Sequence, residues 1–269
     1  MNIKEILNLA KKRIDSLDAE ILLTYILKKE REYIFMNPEE VLKEKDIKKY
    51  KEFLKRREDN EPIAYITNTK EFYKRDFYVN KTVLIPRPET EELIDIVKEK
   101  VDRSKNIVEL GTGTGCISII LHLEGFKNIK ASDICKRALK VAEKNSNNHN
   151  TKIEFKYSDL LIDWKSEKID ILIANLPYVP EISKKDISKD VLDYEPKKAL
   201  FAGEKGDLLY KKLINQIKEH SEIEQFFFEM DDSHADSLLE EYRRELDQYN
   251  WEIIKDLSKK KRFLIGNKK

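Results

Sequence analysis

The chain has 269 residues, with 52 Lys+Arg against 51 Asp+Glu and a net charge of +1, and 40% of it is hydrophobic. That is enough apolar material for one large domain, or a medium one and a small one, and too balanced a charge for a protein that coats duplex nucleic acid. No run of 18 apolar residues is present, and two cysteines (Cys116 and Cys135) with four scattered histidines offer neither a disulfide framework nor a metal site.

The N-terminus, MNIKEILNLAKKRID, is charged throughout and lacks the apolar core of a signal peptide, so the expected compartment is the cytoplasm. Residues 1–60 read as a small all-α domain. Ile6, Leu7 and Ala10 share one helical face, and Leu17, Ile21, Leu22, Tyr25 and Ile26 share another. Asn37-Pro38-Glu39-Glu40 has the form of a helix start, opening a helix through Val41, Ile47, Tyr50 and Leu54. Residues 61–85 are β-rich and aromatic and read as a β-hairpin linker. Pro86-Arg87-Pro88 forbids helix, and Pro88-Glu89-Thr90-Glu91-Glu92 opens one with acidic residues in its first turn. From Asn106 the pattern is strand–helix alternation, with strands at 107–110, 129–132, 153–157, 169–174, 225–230, 251–256 and 262–265. Residues 86–269 are therefore expected to form a Rossmann-like, doubly wound α/β domain on a seven-stranded parallel sheet.

Three of only seven glycines fall within five residues, in Glu109-Leu110-Gly111-Thr112-Gly113-Thr114-Gly115, between the first of these strands and its helix. Glycines there allow a sharp turn and close approach of a ligand to the unpaired N–H groups of a helix start. The spacing is not the dinucleotide fingerprint, whose third glycine would stand at Cys116. It resembles motif I of the class I S-adenosyl-L-methionine (AdoMet) methyltransferases. Asp133, 24 residues after Glu109 and at the end of the second strand, can accept both hydroxyls of a ribose.

Asn175-Leu176-Pro177-Tyr178 follows the fourth strand directly, on the sheet edge that carries the glycine loop. An NH2 on an sp² carbon is a poor nucleophile because its lone pair is delocalised. The Asn175 side-chain oxygen and the Leu176 carbonyl, held extended by Pro177, can accept its two N–H groups, while Tyr178 stacks on the planar group. Positioning of this kind contributes up to roughly 7–11 kcal/mol. The motif fits adenine N6, cytosine N4 or a glutamine amide equally.

Further segments carry a more specific resemblance. Pro62-Ile63-Ala64-Tyr65-Ile66, Glu71-Phe72, Ile85-Pro86-Arg87-Pro88-Glu89-Thr90-Glu91, Tyr194–Gly203 and Lys255-Asp256-Leu257 with Arg262 together resemble the release-factor glutamine methyltransferases (the PrmC/HemK family). The resemblance implies transfer of a methyl from AdoMet, leaving S-adenosyl-L-homocysteine, to N5 of the glutamine in the Gly-Gly-Gln of class I peptide chain release factors. It implies a cytoplasmic enzyme, expected to be monomeric and to touch neither nucleic acid nor membrane, whose N-terminal domain and hairpin grip the release factor. Cofactor contacts would fall to Glu109, Gly111, Thr112, Gly113, Thr114, Gly115, Asp133, Ile134, Asp159, Leu160 and Asn175, and substrate contacts to Asn175, Leu176, Pro177, Tyr178, Arg87, Glu89 and Thr90. Leu176 stands where the family usually has proline, and Asn-Leu-Pro-Tyr is typical of ribosomal RNA adenine N6-methyltransferases, which is the alternative reading. Asn60, Asn68 and Lys74 replace three family glycines; asparagine tolerates positive φ, whereas lysine implies a changed turn or roughly 1 kcal/mol of strain.

Overall fold

The computed structural model describes residues 1–220 and 222–269, which form two compact units. Unit 1 comprises Met1–Thr69 with Ser188–Tyr194, and unit 2 comprises Lys70–Ile187 with Glu195–Lys269.

Unit 1 is helical: α1 (Ile3–Ala10), α2 (Ser16–Leu27), α3 (Arg31–Met36), α4 (Glu44–Glu58), α5 (Ile63–Thr67) and the short α9 (Lys189–Tyr194). Asn2 caps α1 in a reciprocal box, its side chain accepting from Glu5 N at 2.8 Å while Asn2 N donates to Glu5 at 2.9 Å. Ile3, Ile6, Leu7 and Ala10 are buried as their spacing predicts. Helix α2 differs from expectation: it buries Ala19, Leu22 and Leu23 and leaves Leu17, Ile21 and Tyr25 exposed. It is apolar on more than one side, so periodicity does not select its inner face. The small Ala19 admits the buried Tyr50 of α4, whose hydroxyl donates to the Ala19 carbonyl at 2.9 Å.

Residues 37–40 do not open a helix; α4 begins at Glu44. The carbonyls of Pro38 and Glu40 instead accept from Lys4 N (2.9 Å) and Ile3 N (3.1 Å), which satisfies free donors of the first turn of α1. Residues 63–67 are helix rather than strand, closed by Asn68 in the left-handed conformation. The hairpin is confined to β1 (Thr69–Phe72) and β2 (Arg75–Tyr78), and no strand forms at 83–85. Asn60, Asn68 and Lys74 all have positive φ (65°, 54° and 57°), so the three sites keep the backbone that glycine favours. Tyr73 beside Lys74 also has φ +53°, the pair of signs a two-residue type I′ turn requires. Tyr73 is tied down by its N–H to Glu91 (2.9 Å) and its hydroxyl to Asp95 (2.6 Å), which offsets that strain.

Unit 2 continues with α6 (Glu89–Lys100), β3 (Ile107–Leu110), α7 (Cys116–Leu123), β4 (Ile129–Asp133), α8 (Lys136–Asn148), β5 (Glu154–Tyr157), β6 (Ile171–Ala174), α10 (Lys197–Leu200), α11 (Leu208–Ile217), β7 (Gln225–Glu229), α12 (Ala235–Glu245), β8 (Tyr249–Lys255) and β9 (Lys261–Lys268). Among the described residues one seven-stranded sheet has the order β5-β4-β3-β6-β7-β9-β8. Strands β3 to β7 pair in parallel, and β9 lies antiparallel between β7 and β8. The five-residue link between β8 and β9 permits only an antiparallel pair. Every residue of β3 and β6 is buried, as central strands covered on both faces must be. Two apolar clusters pack on the sheet, one around Trp164, Phe226, Phe228 and Trp251 and the other around Leu93, Ile120, Phe227 and Phe263.

Strand order reverses between β3 and β6, which makes the carboxyl edge of that pair the topological switch point where open α/β sheets bind ligands. The register sets Leu110 opposite Ala174 and Ser132, so the chain leaves the sheet at Gly111, Asp133 and Asn175 side by side.

Candidate active site

A cleft of about 510 Å³ opens at this edge, within the usual range for small-molecule sites. Of the residues expected from sequence, Glu109, Gly111, Thr112, Gly113, Thr114, Asp133, Ile134, Asp159, Leu160, Asn175, Leu176, Pro177, Arg87 and Thr90 line it. Gly115, Glu89 and Tyr178 do not. Gly115 stands behind the loop, where a Cβ would meet Ala142 and Ile119 at 3.1 Å.

The glycine loop is built for close approach. A Cβ on Gly111 would meet the Leu176 side chain at 3.0 Å, so this glycine lets the β3 and β6 exits lie against each other. Gly113 has φ +54° and nothing within 4 Å of its Cβ direction: the chain leaves that space open. Asp133 fixes the loop across it, accepting from Gly113 N at 2.9 Å and from Cys135 N at 2.7 Å, one bond to each carboxylate oxygen. Each oxygen keeps a further lone pair for a hydroxyl. Burial pushes the Asp133 carboxyl up, and these two N–H groups pull it back.

Glu109 is fully enclosed beneath the loop. One of its oxygens accepts from the Thr112 hydroxyl (2.8 Å), Ser118 N (3.1 Å) and the Ser118 hydroxyl. Burial pushes its carboxyl up to about 7 despite these donors. A carboxyl raised in the folded state stabilises the fold fully below its unfolded value, near 4.5, and loses that contribution as pH rises through about 7. Glu109→Gln, which keeps an acceptor for the same donors, is therefore expected to flatten the fall in stability between pH 5 and 8. The change is at most roughly 3 kcal/mol. Scanning calorimetry at the two pH values checks this, and an unaltered slope in the variant contradicts it.

Asn175 is oriented by α6, its Nδ2 donating to the Thr90 hydroxyl at 3.0 Å. Among the described residues its Oδ1 takes no hydrogen bond, so the amide turns an acceptor to the cleft. Leu176 N donates to the Tyr210 hydroxyl (3.2 Å), which in turn donates to the Glu229 carbonyl. The Asn175–Leu176 backbone is thus anchored to α11 and β7. The Tyr178 hydroxyl points inward, donating to Glu229 Oε1 at 3.1 Å, so its place is under the cleft rather than in its lining.

Arg87 pairs with Glu195 at 2.6 Å, and Glu195 also accepts from Ile85 N at 3.1 Å. This fastens the Pro86–Thr90 segment beside Pro196–Ala199 along the cleft. Sequence reasoning missed Asn145 and Tyr210. Buried Asn145 exchanges two hydrogen bonds with the Tyr78 backbone (2.7 and 3.0 Å) and donates to Thr114 O at 2.9 Å, linking the end of β2 to the glycine loop. Neither residue belongs to a local motif, and a polar residue on an otherwise apolar inner helix face is the one trace each leaves in the sequence. Among the described residues no group of three His, Cys, Asp or Glu side chains could hold a metal ion, and no helix is long and apolar enough to cross a membrane.

The family model for the PrmC N-terminal domain matches residues 2–67, and that for the methyltransferase small domain matches residues 88–228. A release factor glutamine methyltransferase of Koribacter versatilis is 37% identical, over 100% of this chain and 99% of its own. One of Leptospira interrogans is 39% identical over 96% and 93%. A bifunctional methyltransferase of Rickettsia bellii is 38% identical over 76% of this chain and 42% of its own length. Among solved structures, the hMettl16 catalytic domain in complex with the MAT2A 3′UTR hairpin 6 superposes with a TM-score of 0.57 at 13% identity, covering 84% of this chain and 82% of that one, which speaks to the fold alone. With relatives of this identity aligned from end to end, and both family models in their expected order, the chain belongs to the release factor glutamine methyltransferase family.

Proposed function

We propose that the cleft holds AdoMet and that this enzyme methylates N5 of the glutamine in the Gly-Gly-Gln tripeptide of class I peptide chain release factors. The observation that carries the reading is Asn175: its NH2 is committed to Thr90, and its oxygen faces a cleft of cofactor size. The space above Gly113 and the lone pairs left on Asp133 fit a nucleoside with a ribose diol, in a cleft that Glu109, Thr112, Thr114, Ile134, Asp159 and Leu160 also line. When bound, AdoMet supplies an electrophilic methyl on a sulfonium.

The protein's own work is orientation. Asn175 Oδ1 and the Leu176 carbonyl accept the two amide N–H groups of the glutamine and hold its nitrogen in place. Pro177 keeps Leu176 extended, so leucine serves in place of the family's usual proline. No strong base is needed, because the nitrogen becomes acidic as it gains a substituent. Among the described residues no histidine lines the cleft, and burial pushes the Cys116 thiol up to about 12, out of range for proton transfer at neutral pH. The adenine N6 reading is not favoured, since the relatives aligned over the full chain are named for glutamine and release factors. The helical unit, which carries the PrmC N-terminal match, is the part we assign to gripping the release factor.

Incubation with methyl-labelled AdoMet and a purified release factor is expected to label one glutamine, located by mass spectrometry of the Gly-Gly-Gln peptide. Undiminished label in a release factor carrying Gln→Ala at that position, or label in ribosomal RNA instead, rejects the assignment.

A further inference from the structure

Parallel neighbours in a sheet exchange evenly spaced hydrogen bonds in a pattern that repeats every two residues. Between β6 and β7 it opens with Gln225 N donating to Asp170 O at 3.2 Å, in the register that sets Ile171 opposite Gln225 and Ala174 opposite Phe228. Carried two residues past Ala174, the same pattern runs from Leu176 N to Glu229 O. That bond is not made. Leu176 N donates instead to the Tyr210 hydroxyl at 3.2 Å, and the hydroxyl donates to Glu229 O. A side chain of α11 has entered the ladder at the step that falls inside the Asn175–Tyr178 motif.

The insertion has a fixed direction. A backbone N–H only donates and a carbonyl only accepts, so the phenol accepts from the first and donates to the second. Two hydrogen bonds in series span a gap that a single one of about 2.9 Å closes in an ordinary ladder. Because β6 lies between β3 and β7, the chain at Asn175-Leu176 is held off β7 and toward the exit of β3. There the Leu176 side chain lies 3.0 Å from the Cβ position of Gly111. The inserted ring is itself held in place: Tyr210 is 0% exposed, packs on Phe228 with centroids 5.7 Å apart, and its carbonyl accepts from the Tyr242 hydroxyl at 2.9 Å. Burial pushes the phenol up, so the hydroxyl keeps the proton it donates at neutral pH.

We propose that Tyr210 is a positioning residue: its hydroxyl wedges the β6–β7 ladder open, and so sets Asn175 and the Leu176 carbonyl where they accept the two N–H groups of the substrate amide. This deepens the glutamine methyltransferase reading above and rests on it for the identity of the substrate. A phenol that only capped two stray backbone groups would matter to stability and leave the motif in place. A wedge, once withdrawn, lets the motif move.

Tyr210→Phe deletes the hydroxyl and keeps the ring. Leu176 N and Glu229 O are then drawn toward each other, and the acceptor pair shifts with them. Methyl transfer to a purified release factor is expected to lose roughly tenfold to a hundredfold in kcat, the scale of a reacting group misplaced by about 1 Å. AdoMet Kd, measured by calorimetry, stays near wild type, because Asp133 and Gly113 hold each other without Tyr210. Tyr249→Phe is the matched control. It removes another buried hydroxyl from a backbone carbonyl, that of Ile223 at 3.0 Å, and keeps wild-type kcat whatever it does to Tm. Undiminished kcat in Tyr210→Phe, or an equal loss in Tyr249→Phe, overturns the proposal.

Two readouts need no turnover. In the wild type, a nuclear Overhauser cross-peak between the Leu176 amide proton and the Tyr210 ring protons reports the inserted phenol directly, and its absence overturns the proposal even where Tyr210→Phe fails to fold. In Tyr210→Phe, the Asn175 side-chain NH2 resonances, assigned by their loss in Asn175→Asp, shift together with the Leu176 amide. If the Asn175 resonances stay in place, the phenol is a cap and the proposal is wrong whatever the substrate. If they move while the wild type labels no release factor, the wedge stands and the substrate assignment fails.

Discussion

Asn175→Ala is expected to reduce kcat for methyl transfer by roughly a hundredfold to a thousandfold, the cost of deleting one preorganised polar group aimed at a reacting centre. The truncated site keeps the Leu176 carbonyl, because Leu176 N remains held by Tyr210 and Tyr210 by the β7 backbone. One acceptor alone leaves the substrate nitrogen free to rotate, and much of the positioning advantage goes with it. AdoMet binding should survive. Asp133 holds Gly113 from the far side of the loop, and the Gly111–Leu176 contact that spaces the two strand exits involves no Asn175 side-chain atom. Single-turnover transfer from labelled AdoMet, paired with calorimetric titration of the cofactor, separates the two effects. Near-normal turnover in the variant removes Asn175 from its role; a loss of AdoMet affinity as large as the loss of rate recasts it as a cofactor residue.

The residues of that argument differ in how visible they are in the chain. Asn175 and the 111–115 loop are legible because each follows a short apolar run, and a strand buried on both faces must read as such a run. Their neighbourhood is legible too: a parallel sheet with a known switch point puts the exits of two central strands together, and the register does so here through Leu110 and Ala174. Thr90, Glu229 and Tyr210 contribute through contacts across 85, 51 and 34 positions of sequence, and no local pattern encodes those distances. Glu229 looks from sequence like the polar end of a strand, and its significance is burial, which depends on what packs over it. Tyr178 shows the same limit in reverse: its motif is obvious, but its direction is set by an acceptor 51 residues on. In the helical unit the misread segments share a cause. Residues 37–40 have cap chemistry but spend their carbonyls on α1, and 63–67 have β-branched and aromatic residues but sit between Pro62 and a left-handed Asn68 that closes a single helical turn.

Gly206→Ala carries the other large expected effect, and it acts from outside the cleft lining. Gly206 has φ +78°, and a Cβ there would lie 2.2 Å from the Tyr178 carbonyl oxygen and 3.0 Å from Pro180 N. Both are backbone atoms, so no rotamer change relieves the overlap. The two segments are also laced together: Val179 N donates to Leu200 O at 2.9 Å, Ala202 N to Val179 O at 3.2 Å and Glu181 N to Gly203 O at 3.0 Å. Relief therefore has to come from shifting the chain just after the Asn175–Tyr178 motif, or the start of α11, which carries the Tyr210 that holds Leu176 N. Overpacking together with the left-handed backbone is expected to cost about 2–4 kcal/mol, visible as a drop in Tm of several degrees. Below that transition kcat should fall at least about tenfold, because displacement near 1 Å of a reacting group is enough to do so. AdoMet Kd should stay close to wild type, since the hydrogen bond that fixes the glycine loop runs between Gly113 and Asp133 and involves neither segment of this contact. Wild-type Tm and kcat in Gly206→Ala would mean that the close approach at Tyr178 does not exist in solution. A lowered Tm with unchanged kcat would place the displacement in the 200–206 segment and leave the methylation motif where it is.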